Sequence, residues 1–391
     1  MPGPIYFPIL RAKTGEFEAL GRLAPRTRRL VRPLLDFPRQ KTNDPHTLAA
    51  FIAEKIDEIR TNWGTSEGLY LDFSRYEPDT RLSNGQHIVE FAFDIARKSH
   101  LQAMPVAGPA SIRGPGTDYF EAVARIMRGD QRGAAMRIPS EYFEVPASLD
   151  VVLQQACQLI AASPKEIDLF LDAESLLRAP ELRTDELKLA NVIHRAVQFS
   201  QLQRYRTVIF AASGMPDSLT RHEKGDVLRL PRTEFRAWRR LVQELGCATM
   251  RFGDYGVVDP GQIGSNVPII PPSRVRETTE DEYVLHKGKR DDIRSLARAA
   301  FEDGMLPQQV ESWGLYALLE CATGYGSPGG PTQWISRDTN RHIENTIAAM
   351  GRYLSAEGDS AALSGDEVRG PWLQESLSLI GRDRTKDDET E

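Results

Sequence analysis

Charged and aromatic side chains recur in this chain at the ends of short apolar runs. The first run ends in Arg11 and leads to Lys13 and Glu16, and the second ends in Asp36. Others end in Asp72 (followed by Ser74 and Arg75), in Arg137, and in Asp172 with Glu174 two residues on. The last carries Arg251, Asp254 and Tyr255. Arg and Lys hold phosphate or carboxylate oxygens through charge-assisted hydrogen bonds. Carboxylates gathered in one partly dry place ligate a divalent cation, or crowd one another until one titrates near neutrality. The pattern therefore predicts phosphate chemistry. Asp172 and Asp72 serve as base or as ligands of Mg²⁺ or Mn²⁺. Glu174 or Asp254 is the general acid. Lys13, Arg137, Arg11, Arg251 and Tyr255 hold the phosphate oxygens, and Glu16 and Asp36 complete the site. Asp172 and Glu174, two apart on a strand, share a face.

The runs that carry these residues number eight: 6–11, 30–37, 69–73, 103–109, 134–139, 167–174, 207–214 and 248–256. Segments of helical periodicity separate them. HTLAAFIAEKIDEIR, for example, places apolar residues three and four apart, with Asp44 or Thr47 as its cap. The runs are apolar nearly end to end, as strands of a parallel sheet covered on both faces must be. Eight β–α units in series predict an α/β fold, a (β/α)8 barrel with its chemistry at the C-terminal ends of the strands. A doubly wound sheet would place a Gly-rich phosphate turn after an early strand, and AKTGEFEA does not match that pattern.

The chain has 391 residues, enough for a barrel and an appendage. Residues 1–258 read as the barrel, 259–282 as a Pro/Gly-rich linker or arm, 283–360 as a mostly helical extension packed on the barrel, and 361–391 as a polar, mobile tail. A net charge of -6 does not favour nucleic acid overall, although Arg22, Arg26, Arg28, Arg29 and Arg32 form a local basic patch through which it would bind. Cys157, Cys247 and Cys321 stand far apart, which implies neither zinc fingers nor disulfides and fits a cytoplasmic protein. No apolar run is long enough to span a bilayer, and no signal peptide is read at the N-terminus. The seven histidines fall into no metal-binding spacing.

With these residues noted, the chain resembles the Beta protein family of phages and bacteria. FPILRAKTGEFEAL, PLLDF, DLFLDAES, AASGMPDSL, RFGDYGVVDP, YVLHKG and TQWISRDTNRHI carry the likeness, over roughly residues 5–350. The KxGExxAL run and the GDYG–DP pair are its most specific parts. The resemblance implies a barrel-like core with a C-terminal extension, in a phage or mobile-element context that suggests antiviral defence. It places Lys13, Glu16, Asp36, Asp172, Asp254 and Tyr255 at recurring positions without assigning them roles. It also points to Trp334, Asn340 and His342 as residues that close the mouth or form an interface.

Two functions follow as expectations. In one, the mouth is a phosphoester hydrolase or binds a phosphate-containing ligand such as a nucleotide or nucleic-acid end. In the other, the protein is a non-catalytic component of a defence module, docked to a neighbouring nuclease or other effector. Glycoside chemistry ranks lower, because none of the five tryptophans stands at a strand end.

Overall fold

The computed structural model describes residues 3–40, 44–108, 117–176, 185–216, 227–245, 250–260, 274–288, 293–303 and 310–355. Its strands, in chain order, are β1 (Ile9–Arg11), β2 (Leu34–Asp36), β3 (Gly68–Asp72), β4 (Gln102–Ala107), β5 (Ala134–Pro139) and β6 (Ile167–Ser175). There follow β7 (Thr207–Ser213), β8 (Val227–Pro231), β9 (Arg251–Asp254), β10 (Arg274–Thr278) and β11 (Glu282–Lys287). All eight expected strands are present. They form one parallel sheet in the order β1 to β7, then β9. A parallel bridge between Tyr6 and Phe252, with the Phe7 N–H donating to the Phe252 carbonyl over 2.8 Å, brings its two edges together. The fold is a (β/α)8 barrel. Gly253 is required where it closes, because a Cβ there would lie 2.5 Å from the Phe7 carbonyl oxygen.

Alternation along each strand decides what the barrel encloses. Phe7, Ile9, Leu34, Tyr70, Phe170 and Ile209 point inward as one apolar cluster. Their neighbours Leu10, Leu35, Leu71, Phe210 and Phe252 point outward and pack under the helices. Six of the eight inward series end at the upper rim in a polar or charged residue: Arg11, Asp36, Asp72, Arg137, Asp172 and Ser213. The lower end is closed differently. Asp168, fully buried at the start of β6, accepts from the Tyr70 hydroxyl at 2.6 Å and from Arg206 Nε at 2.8 Å.

The C-terminal part departs from the expected plan. β10 pairs with β11 and β11 with β8, all antiparallel, in a separate three-stranded sheet. This sheet joins a segment expected as a barrel connection (β8) to one expected as linker (β10), so it cuts across the boundaries expected at 258 and 282. VLRLP carries few cues, and only pairing with β11 makes it a strand. The helix Pro331–Ser355 belongs to the expected C-terminal helical extension and packs on the barrel. Ile343, Ile347, Met350 and Leu354 belong to the barrel's own outer core. Tyr353 meets the rings of Phe235 and Trp238 edge-on. The helix thus supplies the barrel's last helical cover, after an insertion made of the small sheet and the helices Ile293–Glu302 and Trp313–Thr323. The tail expected over 361–391, together with Cys247, lies outside the described residues.

A shared core makes a testable demand. Ile343→Ala, at a fully buried position, is expected to destabilise the whole protein by about 2–5 kcal/mol, in one cooperative transition followed by tryptophan fluorescence in denaturant. Two resolved transitions, only one of them shifted, would show that the last helix folds apart from the barrel.

Candidate active site

The inward strand ends meet at the upper rim around one guanidinium. Arg137, on β5, donates from Nε to Asp172 Oδ2 at 2.6 Å and from Nη1 to Asp72 Oδ2 at 3.0 Å. Its Nη1 also lies 3.6 Å from Asp36 Oδ2, and its Nη2 donates to the Tyr255 hydroxyl at 2.6 Å. Tyr255 in turn donates to Asp172 Oδ2. Arg75 grips Asp36 with both Nε and Nη2. Four strands thus contribute to one cluster because register aligns their ends: Arg11 opposite Asp36, Asp36 opposite Asp72, and Pro139 opposite Asp172.

Two of these carboxylates are pinned by the backbone as well. The Ser74 N–H donates to Asp72 Oδ1 at 2.9 Å, and the Glu174 N–H donates to Asp172 Oδ1 at 2.8 Å. The chain thus turns back on the acid that ends the strand, a local hydrogen bond typical of Asp. Glu174 adopts φ 51°, the left-handed region, beside a register shift in β6. Its carboxylate nonetheless lies close enough to Tyr255 to act on the phenol through its charge.

The electrostatics follow from burial. Desolvation pulls the Arg137 pKa down, but Tyr255, Asp172, Asp72 and Asp36 outweigh it and hold it well above its ordinary value. Burial raises the Asp36 carboxyl against the pull of Arg137 and Arg75. Burial likewise raises the Tyr255 phenol well above its usual range, with Arg137 opposing and Asp172 reinforcing.

A divalent ion on Asp72 and Asp172 does not fit this arrangement. The Arg137 guanidinium occupies the place between them and uses the oxygen of each that would face a metal. Among the described residues no group of three or more His, Cys, Asp or Glu is placed to hold a metal ion.

The remaining expected residues divide. Arg11 reaches the rim, where its Nη2 donates to the Asp259 carbonyl at 2.9 Å, and Ser175 Oγ donates to the Asp259 carboxylate. Glu16, in the first turn of the helix Thr14–Gly21, is buried beside Arg11, Lys13 and Arg276. Apart from a hydrogen bond to its own backbone, no hydrogen bond or ion pair to another residue holds its carboxylate among the described residues. Burial raises its pKa to about 7, against its own backbone hydrogen bond and those three cations. Lys13 is exposed at the rim.

Asp254 and Arg251 do not join the cluster. Asp254 is one residue from Tyr255 and therefore faces the opposite way. Fully buried, its carboxylate accepts from Tyr6 OH at 2.5 Å and lies 2.9 Å from His342 Nε2 and 3.4 Å from Arg232 Nη2. Burial alone would raise its pKa; His342, Arg232 and Tyr6 outweigh that and hold it below the ordinary value. His342 Nδ1 continues to Thr278 Oγ1 at 2.9 Å, so this network ties the barrel to the small sheet and the last helix. Arg251 opens β9, four residues before Tyr255, or about 13 Å down the strand. Trp334 packs with the inserted helices and donates to the Pro328 carbonyl at 2.7 Å. The basic patch is largely consumed by the fold: Arg28 donates to the carbonyls of Trp63, Leu20 and Gly21, Arg32 lies over Tyr70, and Arg22 lies over Trp313.

A second set of cations is absent from the sequence-based expectations. In the small sheet Arg274 pairs with Lys287, Arg276 with Leu285 and Thr278 with Tyr283, so these residues share one face. Leu285 and Tyr283 pack there with Met215, after β7, and Val257, after β9. That face therefore lies over the β7–β9 side of the mouth. Arg276 reaches Asp338 at 3.2 Å. Among the described residues Arg274 Nε is buried without a hydrogen-bond partner, and burial, reinforced by the charge of Arg276, lowers its pKa to about 10. The alternation R-V-R at 274–276 is the signal that reveals them once the segment is recognised as a strand.

Among known proteins, the family model described as Beta protein matches residues 6–348. No curated protein is significantly similar to the chain. Among solved structures, the chain is similar to triosephosphate isomerase from Bartonella henselae, at 13% identity over 63% of this chain and 91% of that one, with a TM-score of 0.32. Among the described residues no helix is long and apolar enough to cross a membrane.

Removing the central cation exposes what it does. Arg137→Gln leaves Asp72 and Asp172 without their cation and Asp36 with Arg75 alone, and is expected to cost about 3–5 kcal/mol near pH 7.5. Without Arg137 the folded-state pKa of Asp36, already raised by burial, rises further. Its contribution to stability is then present below the unfolded pKa, about 3.9, and lost as pH rises through the raised value. The deficit measured by denaturant titration should accordingly shrink toward pH 4 and grow toward pH 8. A deficit independent of pH would contradict the assignment.

Proposed function

The chain belongs to the Beta protein family, and from that premise we propose that its barrel mouth recognises a small phosphate-bearing molecule without the help of a resident metal. The anion sits between the rim and the small sheet, held by Arg11 and Lys13 from the end of β1 and by Arg274 and Arg276 from β10. The observation that carries this reading is Arg274: a cation packed beside a second cation, with its buried Nε unpartnered among the described residues. Leaving a buried charged donor unmet is costly, and an incoming phosphate oxygen would remove that cost. Arg137 does not bind the ligand in this reading. Its donors are taken up by Asp172, Asp72 and Tyr255, and it holds the rim rigid beneath the anion.

Glu16 sits among the same cations and is the group suited to exchange a proton with a bound phosphate ester. Its pKa of about 7 lets both forms be populated at neutral pH. In its neutral form it removes a negative charge from the site, so anions bind more tightly as pH falls through 7.

Titration calorimetry with inorganic phosphate tests the reading. Affinity is expected to fall about tenfold or more in Arg274→Ala, and the change from pH 8 to pH 6 should favour binding more in the wild type than in Glu16→Gln, whose own pH dependence reports the titration of phosphate. Absence of binding at both pH values would sink it. Glu16 supplies an independent check on stability. Its folded pKa lies above its unfolded value, so its contribution is intact at low pH and lost as pH rises through about 7. Glu16→Gln should therefore gain on the wild type by up to about 3 kcal/mol at pH 8, and little at pH 5, in denaturant titrations.

A further inference from the structure

A cleft of about 500 Å³ opens beside the mouth, lined in part by Ala12, Lys13, Pro38, Arg39, Phe51 and Lys55. Its position follows from the strands. Ala12 and Lys13 continue β1 past Arg11, and Pro38 and Arg39 continue β2 past Asp36. Phe51 and Lys55 are one turn apart on the helix Pro45–Trp63 and so share a face. Lys13 belongs both to this cleft and to the cation set around Glu16, which makes the two spaces neighbours across a single side chain.

The walls divide by chemistry. Pro38, Phe51 and Ala12 give apolar surface, and Phe51 is only half-buried, packed at the edge of the main core. The charged side chains named are all basic. Arg39 is engaged by Glu77 at 2.8 Å, and Lys55 by Glu54 at 3.0 Å and by Glu58. Lys55 Nζ lies 5.8 Å from the Phe51 ring centroid. Lys13 has no carboxylate at ion-pair distance among the described residues. An apolar slot with a cation at its inner edge, opening toward a cluster of arginines, matches a molecule that is flat and apolar at one end and anionic at the other.

We propose that the ligand of the mouth is a nucleoside phosphate, its phosphate held at Arg11, Lys13 and Arg274 and its base laid against Pro38 and Phe51. This rests on the anion-binding reading above and adds the identity of the group carried by the phosphate. Stacking of a base on an aromatic ring is tolerant of which base is present, so the slot selects for a planar ring rather than for one nucleobase.

Calorimetric titration with inorganic phosphate, ribose 5-phosphate and adenosine 5′-monophosphate separates the two claims. The wild type is expected to bind adenosine 5′-monophosphate at least about tenfold more tightly than ribose 5-phosphate. Phe51→Leu, which keeps apolar contact with the core and loses the flat ring, should abolish that advantage and leave ribose 5-phosphate unchanged. Arg274→Ala should weaken all three. Equal affinity of the wild type for the two sugar phosphates would overturn the nucleoside assignment while leaving the anion site standing. An advantage that survives in Phe51→Leu would also overturn it, by placing the base elsewhere. If none of the three binds, both readings fall together.

Discussion

Three aspartates cannot share the dry upper end of an eight-stranded barrel unless a cation lies among them, and Arg137 is that cation. Isolated, each carboxylate would face a desolvation cost of several kcal/mol; together they would also repel. One planar guanidinium on β5 reaches Asp172 on β6, Asp72 on β3 and Asp36 on β2, and its remaining donor fixes Tyr255 after β9. Strands that are not neighbours in the sheet are thereby tied across the barrel axis. The arrangement of the rim, including which side of it remains open to a ligand, follows from that one contact. The lower end repeats the logic on a smaller scale, with Asp168 held by Tyr70 and Arg206. An apolar interior is thus bracketed by two ionic layers.

The upper layer is closed on itself, and that shapes what the site does. Buried ion clusters contribute little net stability but make the alternatives expensive, so their role here is to fix geometry. The cations with capacity to spare lie to one side, where the inserted sheet leans over the mouth. Arg274 and Arg276 come from β10 and Arg11 and Lys13 from β1, and Glu16 is buried between them. The second ionic network, Asp254 with Tyr6, His342 and Arg232, holds the insertion and the last helix against the outer wall of the barrel. The position of the sheet over the mouth therefore depends on residues that do not face the mouth.

The barrel is legible in the sequence because its signals are local. Each strand is a short apolar run, and each terminal polar residue is the point where the run reaches solvent. Arg11, Asp36, Asp72, Arg137 and Asp172 are therefore nameable from the sequence alone. Parity is harder to read. Asp254 and Tyr255 stand side by side in one run, yet adjacent strand residues face opposite sides, and Arg251 shares the inward face with Tyr255 but lies too far down the strand. The left-handed φ of Glu174 is not legible from the alternation at all. The small sheet and the place of the last helix are illegible because both are made by contacts distant in sequence. β8 is a strand only because β11 lies beside it, and Ile343 is core only because the barrel wall is there to receive it.

The bond between Tyr6 and His342 spans 336 residues of chain, and that span carries a consequence for biosynthesis. The first strand leaves the ribosome long before the helix that covers it. At translation speeds of about 5–20 residues per second, the wait is on the order of 20 to 70 s. Throughout it the outward face of the first strand, with Tyr6 on it, has no permanent cover, and β9, with Asp254, joins it only 88 residues before His342. Such a nascent chain is a natural client for chaperones, and the pace of translation through the inserted segment sets how long that exposure lasts.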